Sequence, residues 1–201
     1  MAVEFPSLPG RQVFVVMSGP SGAGKSTLLE CFLAGNPDFR KSLSTTTRPP
    51  RIGERHGIDY DFVSTDEFQR RVDEGLFIEH FQVFAKHWYG TPRFFIEDCF
   101  AKKLSVIKDL DVQGAAQIRG NVPSALLVYV VPPSADEIER RLRTRSSDSA
   151  DSITRRLRAV GDELAHWRSY DYLVINDDLD RATSDLEAIV RSHRLKIGRR
   201  D

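Results

Sequence analysis

An excess of either charge is missing from this sequence. Over 201 residues, 29 Lys and Arg balance 29 Asp and Glu. That balance argues against a protein that grips nucleic acid or a membrane surface through bulk charge. Cysteine is almost absent. Cys31 and Cys99 stand outside any C-x-x-C pattern and have no His at ligand spacing, which excludes a disulfide framework and a structural zinc site. Both thiols read as small buried apolar groups in a reducing compartment. Long apolar runs are lacking too. Near the start the longest is residues 13–17, far short of the roughly 20 residues that a bilayer requires. The first ten residues show no apolar stretch of a secretory leader. The expectation is a cytoplasmic protein with no membrane and no nucleic-acid partner. Zero net charge leaves self-association into a homo-oligomer open. The five histidines are scattered, with no Ser-His-Asp or metal pattern.

What is present is alternation. Residues 12–18 are β-branched, aromatic or apolar at successive positions, as in a strand buried on both faces of a parallel sheet. A glycine-rich turn follows, then a helix over 25–34 with Leu28, Leu29, Phe32 and Leu33 inward. The rhythm returns with a strand at 105–111 and a helix at 112–119. A strand at 125–131 is stopped by Pro132 and Pro133. Ser134 then caps a helix running to about Arg143, with Asp136 and Glu137 in its first turn. A helix from Ser152 places Ile153, Leu157, Val160, Leu164 and Trp167 on a core face. A strand at 172–175 and a helix at 179–196 close the chain. Strands alternating with helices predict an α/β fold, a parallel sheet covered by helices on both faces. Residues 36–92 break the rhythm with turn signals, strands near 59–63 and 77–84, and a helix opened by Thr65. They read as an inserted mixed-strand unit. Residues 144–151 are small and polar and read as a surface flap between two Arg-rich helices.

Gly19-Pro20-Ser21-Gly22-Ala23-Gly24-Lys25-Ser26 fits G-x-x-x-x-G-K-[ST], with a strand before it and a helix after it. Such a loop turns successive N–H groups toward a phosphate, and the helix N-terminus adds partial positive charge. Lys25 would reach the β- and γ-phosphates and the Ser26 hydroxyl would ligate Mg²⁺. The motif specifies a nucleoside triphosphate and leaves its use open. A second cluster sets Arg48 and Arg51 around Pro49 and Pro50, with Tyr60 downstream. Two guanidinium forks and a phenol suit a dianionic phosphate; the same run also suits a solvated basic loop. A third cluster, Arg140, Arg141, Arg143, Arg145, Arg155, Arg156 and Arg158, suits either a salt-laced surface or cover for a transferring phosphoryl group.

Six segments in order carry a resemblance to the guanylate kinase family of bacteria. They are Gly19 to Thr27, the run from Ser44 through Arg48-Pro-Pro-Arg51 to Tyr60 and Val63, Phe77-Ile-Glu79, Tyr89-Gly-Thr91, Asp109-Leu-Asp111-Val-Gln-Gly114, and Asn176-Asp-Asp178. The resemblance covers residues 11–196. It implies a P-loop core (11–35 and 93–196), a GMP-binding unit (about 36–92) and a lid (about 134–160), preceded by an arm at 1–10. It implies phosphoryl transfer from ATP, with Mg²⁺, to GMP and dGMP. It places Arg48, Arg51, Tyr60 and Tyr89 on the GMP phosphate. Ser44, Glu79 and Thr91 fall on the guanine, with Asp111 nearby. It sets Arg141, Arg145 and Arg156 over the transferring group and Asn176 by the adenine. A catalytically silent interaction module of the same fold is the alternative. Intact Lys25, Ser26, Ser44 and Arg145 argue against it. Two positions depart from the family pattern. Lys108 stands in a buried strand where an apolar residue is usual, and pairing with Asp109 or escape at the strand's end would relieve it. Residues 84–88 form a turn one residue longer than usual.

Overall fold

Strand β1 (Phe14–Ser18) has all five residues buried. Phe14 and Val16 face one side, Val15 and Met17 the other, because successive strand side chains alternate. The structure is a computed structural model and describes residues 12–83, 86–144, 161 and 163–196. On either side of β1 run β7 (Ser105–Asp109) and β8 (Leu126–Val131), both parallel to it. Outside these lie β2 (Phe39–Lys41) against β7 and β9 (Tyr172–Ile175) against β8, giving the all-parallel order β2-β7-β1-β8-β9. Helices α1 (Lys25–Gly35) and α6 (Leu179–Leu195) cover one face. There Val15, Met17, Leu29, Phe32, Leu186 and Val190 form one core cluster. On the other face Phe14, Val16, Val106, Ile96, Cys99 and Ile118 form a second, under α3 (Arg93–Ala101) and α4 (Val112–Asn121). Each fully buried aliphatic or aromatic side chain contributes roughly 1.5–3 kcal/mol. This is the parallel sheet covered by helices on both faces that the alternation predicts.

A second, four-stranded sheet has the order β4-β3-β6-β5. It joins β3 (Thr45–Thr46), β4 (Asp61–Phe62), β5 (Phe77–Val83) and β6 (His87–Pro92). The pairs β3/β6 and β5/β6 are antiparallel and β3/β4 is parallel. Helix α2 (Thr65–Asp73) packs buried Phe68 on Phe77, ring centroids 4.6 Å apart. Its cap is Ser64, one residue before the expected opener, whose hydroxyl accepts from the Glu67 N–H at 3.1 Å. Helix α5 (Ala135–Thr144) starts as expected, with Ser134 accepting from the Glu137 N–H at 3.2 Å.

Some expectations are corrected. The mixed-strand unit begins later than residue 36, because β2 hydrogen-bonds into the parallel sheet. Periodicity does not find α3, β3 or β6: β3 has only two residues, α3 is entered through Pro92, and β6 is interrupted by Gly90 and ends on Pro92. Trp167 is not core. It sits in a 3₁₀ turn (Ala165–Ser169), 42% exposed, with the Arg168 guanidinium 4.6 Å from its ring. The tighter 3₁₀ winding breaks the 3.6-residue period that placed it inward. Cys99 is buried, whereas Cys31 is half-buried, and both are free thiols.

Candidate active site

Strand polarity decides where the chemistry gathers. The C-terminal ends of β1, β7 and β9 lead into Gly19, Leu110-Asp111 and Asn176 on one rim of the sheet, the edge where open parallel sheets bind ligands. The P-loop is built mostly from backbone. Gly19 has φ +146°, and a Cβ there would collide with the Val130 carbonyl; Gly24 has φ +80°, and a Cβ there would meet the Asn176 amide. Helix α1 begins at Lys25 behind Gly24, with no side-chain cap. Its first N–H groups and its dipole therefore face the loop, as an anion site requires. Lys25 Nζ donates to the carbonyls of Gly19 at 2.5 Å and Pro20 at 3.0 Å, which folds the ammonium back across the loop.

Asn176 is buried, and its Nδ2 donates to the Ala23 carbonyl at 2.8 Å. It thus braces the loop. Arg141 on α5 donates through Nη2 to the Asn176 carbonyl at 3.0 Å and through Nε to Glu137 at 2.6 Å. A cavity of about 390 Å³ lies here, between Gly22, Gly24, Thr27, Arg141 and Asn176.

The second cavity, about 360 Å³, joins the P-loop to the mixed sheet. Gly19, Ser21 and Lys25 line one side, and Ser44, Tyr60, Glu79, Tyr89, Asp109 and Asp111 the other. The β5/β6 register sets Glu79 opposite Thr91, and the Thr91 hydroxyl donates to Glu79 Oε1. Glu79 is 2% exposed, and Oε2 is buried with no hydrogen-bond partner among the described residues. Burial pushes the Glu79 carboxyl up, while the Lys108 charge and the Thr91 hydroxyl pull it down. Asp111 caps α4, accepting from the Gly114 N–H at 2.8 Å. Burial raises it as well, opposed by that cap.

Arg48 is clamped in place. Its Nη2 donates to Glu54 at 2.8 Å, its Nε donates to the Tyr89 hydroxyl at 3.1 Å, and its guanidinium lies 5.3 Å from the Tyr60 ring centroid. The Glu54 bond holds Arg48 firmly charged and pulls Glu54 below the usual carboxylate range. Burial raises the Tyr60 phenol. The structure thus gathers Lys25, Ser44, Arg48, Tyr60, Glu79, Tyr89, Thr91 and Asp111. Arg51 stands outside this cluster, with its residue exposed and its N–H donating to Glu54 at 2.7 Å. Arg145 and Arg156, the segment 145–151 and the helix start at Ser152 lie outside the described residues, as do residues 84 and 85 of the altered turn.

Lys108 is corrected on one point. It does not escape at the end of β7, being 1% exposed, and its hydrogen bond goes to Ser44 Oγ at 2.6 Å and not to Asp109. Sequence reasoning also missed Glu54 and Glu163. Glu54 lies six residues from Arg48, so a carboxylate beside the arginine pair was a usable signal. Glu163 Oε2 accepts from the Ser21 N–H at 3.2 Å across 142 positions, and no local pattern announces that.

A family model described as "Guanylate kinase" matches residues 11–193. The chain belongs to the guanylate kinase family. A guanylate kinase of Yersinia pestis bv. Antiqua is 46% identical over 186 residues, covering 92% of this chain and 89% of that one. A guanylate kinase of Vibrio parahaemolyticus is 43% identical over 189 residues, covering 93% and 91%. The crystal structure of guanylate kinase from Anaplasma phagocytophilum is 33% identical with a TM-score of 0.71, covering 92% of this chain and 87% of that one. The guanylate kinase match runs from the P-loop through Asn176, so it spans both cavities.

Proposed function

We infer that this protein transfers the γ-phosphoryl group of ATP to GMP, giving ADP and GDP. The observation that carries the reading is the shared cavity, which faces P-loop residues Gly19 and Lys25 on one side and Ser44, Glu79 and Tyr89 on the other. Guanine offers N1–H and N2–H₂ as adjacent donors. The ionised Glu79 carboxylate, with Oε1 already held by Thr91 and Oε2 without a partner among the described residues, supplies the matching acceptor. Adenine has no such donor pair on that edge, and a site built for hydrogen bonds rejects an analogue that leaves them unmade. Asp111 lies close enough to add to the same recognition. Arg48, Tyr60 and Tyr89 form the cradle for the GMP phosphate, and Arg51 extends it from the rim.

In the transfer a GMP phosphate oxygen attacks the γ-phosphorus, and the bond to the β–γ bridging oxygen breaks. No catalytic base is needed, since a phosphomonoester with a second pKa near 6 is largely dianionic at neutral pH. Lys25, the first N–H groups of α1 and Arg141 hold positive charge over the triphosphate, where the loosening γ-phosphoryl group needs it most. Asn176 and the P-loop residues Pro20, Ser21, Gly22, Ala23, Ser26 and Thr27 frame the ATP side. The Ser26 hydroxyl and the Asp109 carboxylate are hard oxygen donors beside that loop, a set that fits Mg²⁺ held jointly with nucleotide phosphates. When bound, the ion neutralises phosphate charge. Among the described residues no helix is long and apolar enough to cross a membrane, and a cytoplasmic location accords with the substrates. The test is a panel of GMP, dGMP, AMP, CMP and UMP with ATP and Mg²⁺. Turnover confined to the guanine nucleotides supports the reading, and equal turnover of AMP or a pyrimidine nucleotide overturns it.

A further inference from the structure

We propose that Lys108 is the positioning residue of the guanine pocket: its buried ammonium orients the Ser44 hydroxyl and supplies the counter-charge that keeps Glu79 an acceptor. This rests on the reading of the cavity as a GMP site.

Lys108 occupies the middle of the main sheet, paired in register with Val16 of β1. Side chains alternate along β7, so Lys108 shares a face with Val106, on the side of the sheet where Ile78 packs. Ile78 immediately precedes Glu79. A lysine buried to 1% exposure is costly unless its charge has work to do. Its Nζ lies 2.6 Å from Ser44 Oγ. An ammonium has donors and no acceptor, so Ser44 must accept. The serine's own O–H dipole is then turned away from the ammonium, toward the cavity that Ser44 lines.

That orientation has a consequence for base choice. Guanine places an acceptor, O6, next to its N1–H. Adenine places a donor, the 6-amino group, there. A Ser44 hydroxyl held as donor, beside a Glu79 carboxylate held as acceptor, reads acceptor–donor–donor, which is the guanine edge. Lys108 sets both halves of that pattern. The charges acting on it are Glu79 of β5 and Asp109 of its own strand, which stabilise the ammonium, and Lys41 at the end of β2, which opposes it. Burial opposes that charge, which is why the carboxylates facing it matter.

The variant Lys108→Met keeps length and apolar stem and removes the charge. Its KM for GMP should rise by about tenfold or more, the scale of a lost hydrogen bond to a charged group. KM for ATP should stay within about twofold, a change too small to count as a lost contact. In a double-mutant cycle Ser44→Ala should add little to Lys108→Met, because the two residues act through one hydrogen bond. Native GMP affinity in Lys108→Met overturns the proposal. So do GMP and ATP KM values that rise together, which would mark a structural role. If Lys108→Met does not fold, Lys108→Gln replaces it, an uncharged side chain that still donates a hydrogen bond; KM for GMP should again rise while KM for ATP holds. A chain that folds with neither variant also overturns the proposal. A native protein that fails to phosphorylate GMP defeats the reading of the site itself, whereas native turnover with an indifferent Lys108→Met defeats only the role of Lys108.

Discussion

The two halves of the active site are made of different material. The P-loop half is made mostly of backbone: three glycines with positive φ, the open N-terminus of α1, and a strand, β1, buried on both faces. The mixed-sheet half is made of side chains. Strands β3 and β4 have two residues each. Ion pairs bind that half together, Arg48 to Glu54 at 2.8 Å, Arg71 to Asp61 at 2.6 Å and Arg71 to Glu67 at 2.7 Å. The difference follows from the two ligands. A triphosphate carries charge without directional detail, so N–H groups and a dipole suffice. A base is distinguished by the order of donors and acceptors on one edge, and only fixed side chains match that order.

The largest expected effect lies on the backbone-built side. Lys25 is the one charged side chain of the P-loop, and the proposed function gives its charge to the phosphates. Lys25→Ala should lower kcat by about 10²–10³, the usual loss for one such electrostatic contact, with an unchanged melting temperature. A variant retaining most of its turnover would show that N–H groups alone carry the half-reaction. The next effect lies on the other side. Glu79→Gln should cut kcat/KM for GMP by about 10–100-fold and leave KM for ATP nearly unchanged, because the amide NH₂ faces a guanine donor. The native enzyme should lose GMP affinity on acidification at a higher pH than an ordinary carboxylate would, since burial raises Glu79. The variant should lack that limb. Equal loss of ATP and GMP affinity would erase the division between the halves.

The same division explains what could be read from the sequence. The parallel sheet was legible because apolar runs such as 14–17 and 126–130 admit one reading, and the P-loop because its glycines are spaced by backbone geometry. Glu79, Thr91 and Tyr89 were reached only through likeness to a family. Nothing local in Phe77-Ile-Glu79 says that its carboxylate meets a threonine twelve residues on. The Lys108–Ser44 bond spans 64 positions and the Ser21–Glu163 bond 142. Such pairings are created by crossovers between strands, and single-chain periodicity carries no information about them. A buried lysine was nonetheless visible as an anomaly, and the anomaly led to the hydrogen-bond partner of the cavity-lining Ser44.

A smaller effect concerns stability. In an unfolded chain a lysine titrates near 10.4; in the fold Lys108 does so at about 8. Between those values the unfolded chain holds the proton and the folded one does not, so native stability rises with pH across that interval. Below about 8 the full cost is present, on the order of 3 kcal/mol at 1.36 kcal/mol per pKa unit. Lys108→Met avoids it and should melt several degrees higher at neutral pH, at roughly 2–4 °C per kcal/mol for a chain of this size. The advantage should shrink as pH rises from about 8 toward 10. A melting temperature that falls in Lys108→Met, with no pH dependence, would place the lysine among the stabilising contacts and not the costly ones.

The smallest effect asks whether the two halves are separate cooperative units. Ser64 caps α2 with a single hydrogen bond to the Glu67 N–H, and its loss in Ser64→Ala should cost about 1 kcal/mol. Helix α2 covers only the mixed sheet, where Phe68 stacks on Phe77 and lies 6.0 Å from the Trp88 ring. Phe68 belongs to neither core cluster of the parallel sheet, and β5 enters the second only through Ile78. If the division is physical, the cost falls on local opening of α2, β4 and β5. Hydrogen exchange of the native protein and Ser64→Ala should then show faster amides in residues 61–83 and unchanged protection in β1 and β8, because regions that share few core contacts open with separate free energies. Binding of ATP should be untouched, and GMP should restore most of the lost protection, since it contacts that half. Equal acceleration in both sheets would make the molecule one cooperative unit, with the contrast between its halves confined to chemistry and absent from stability.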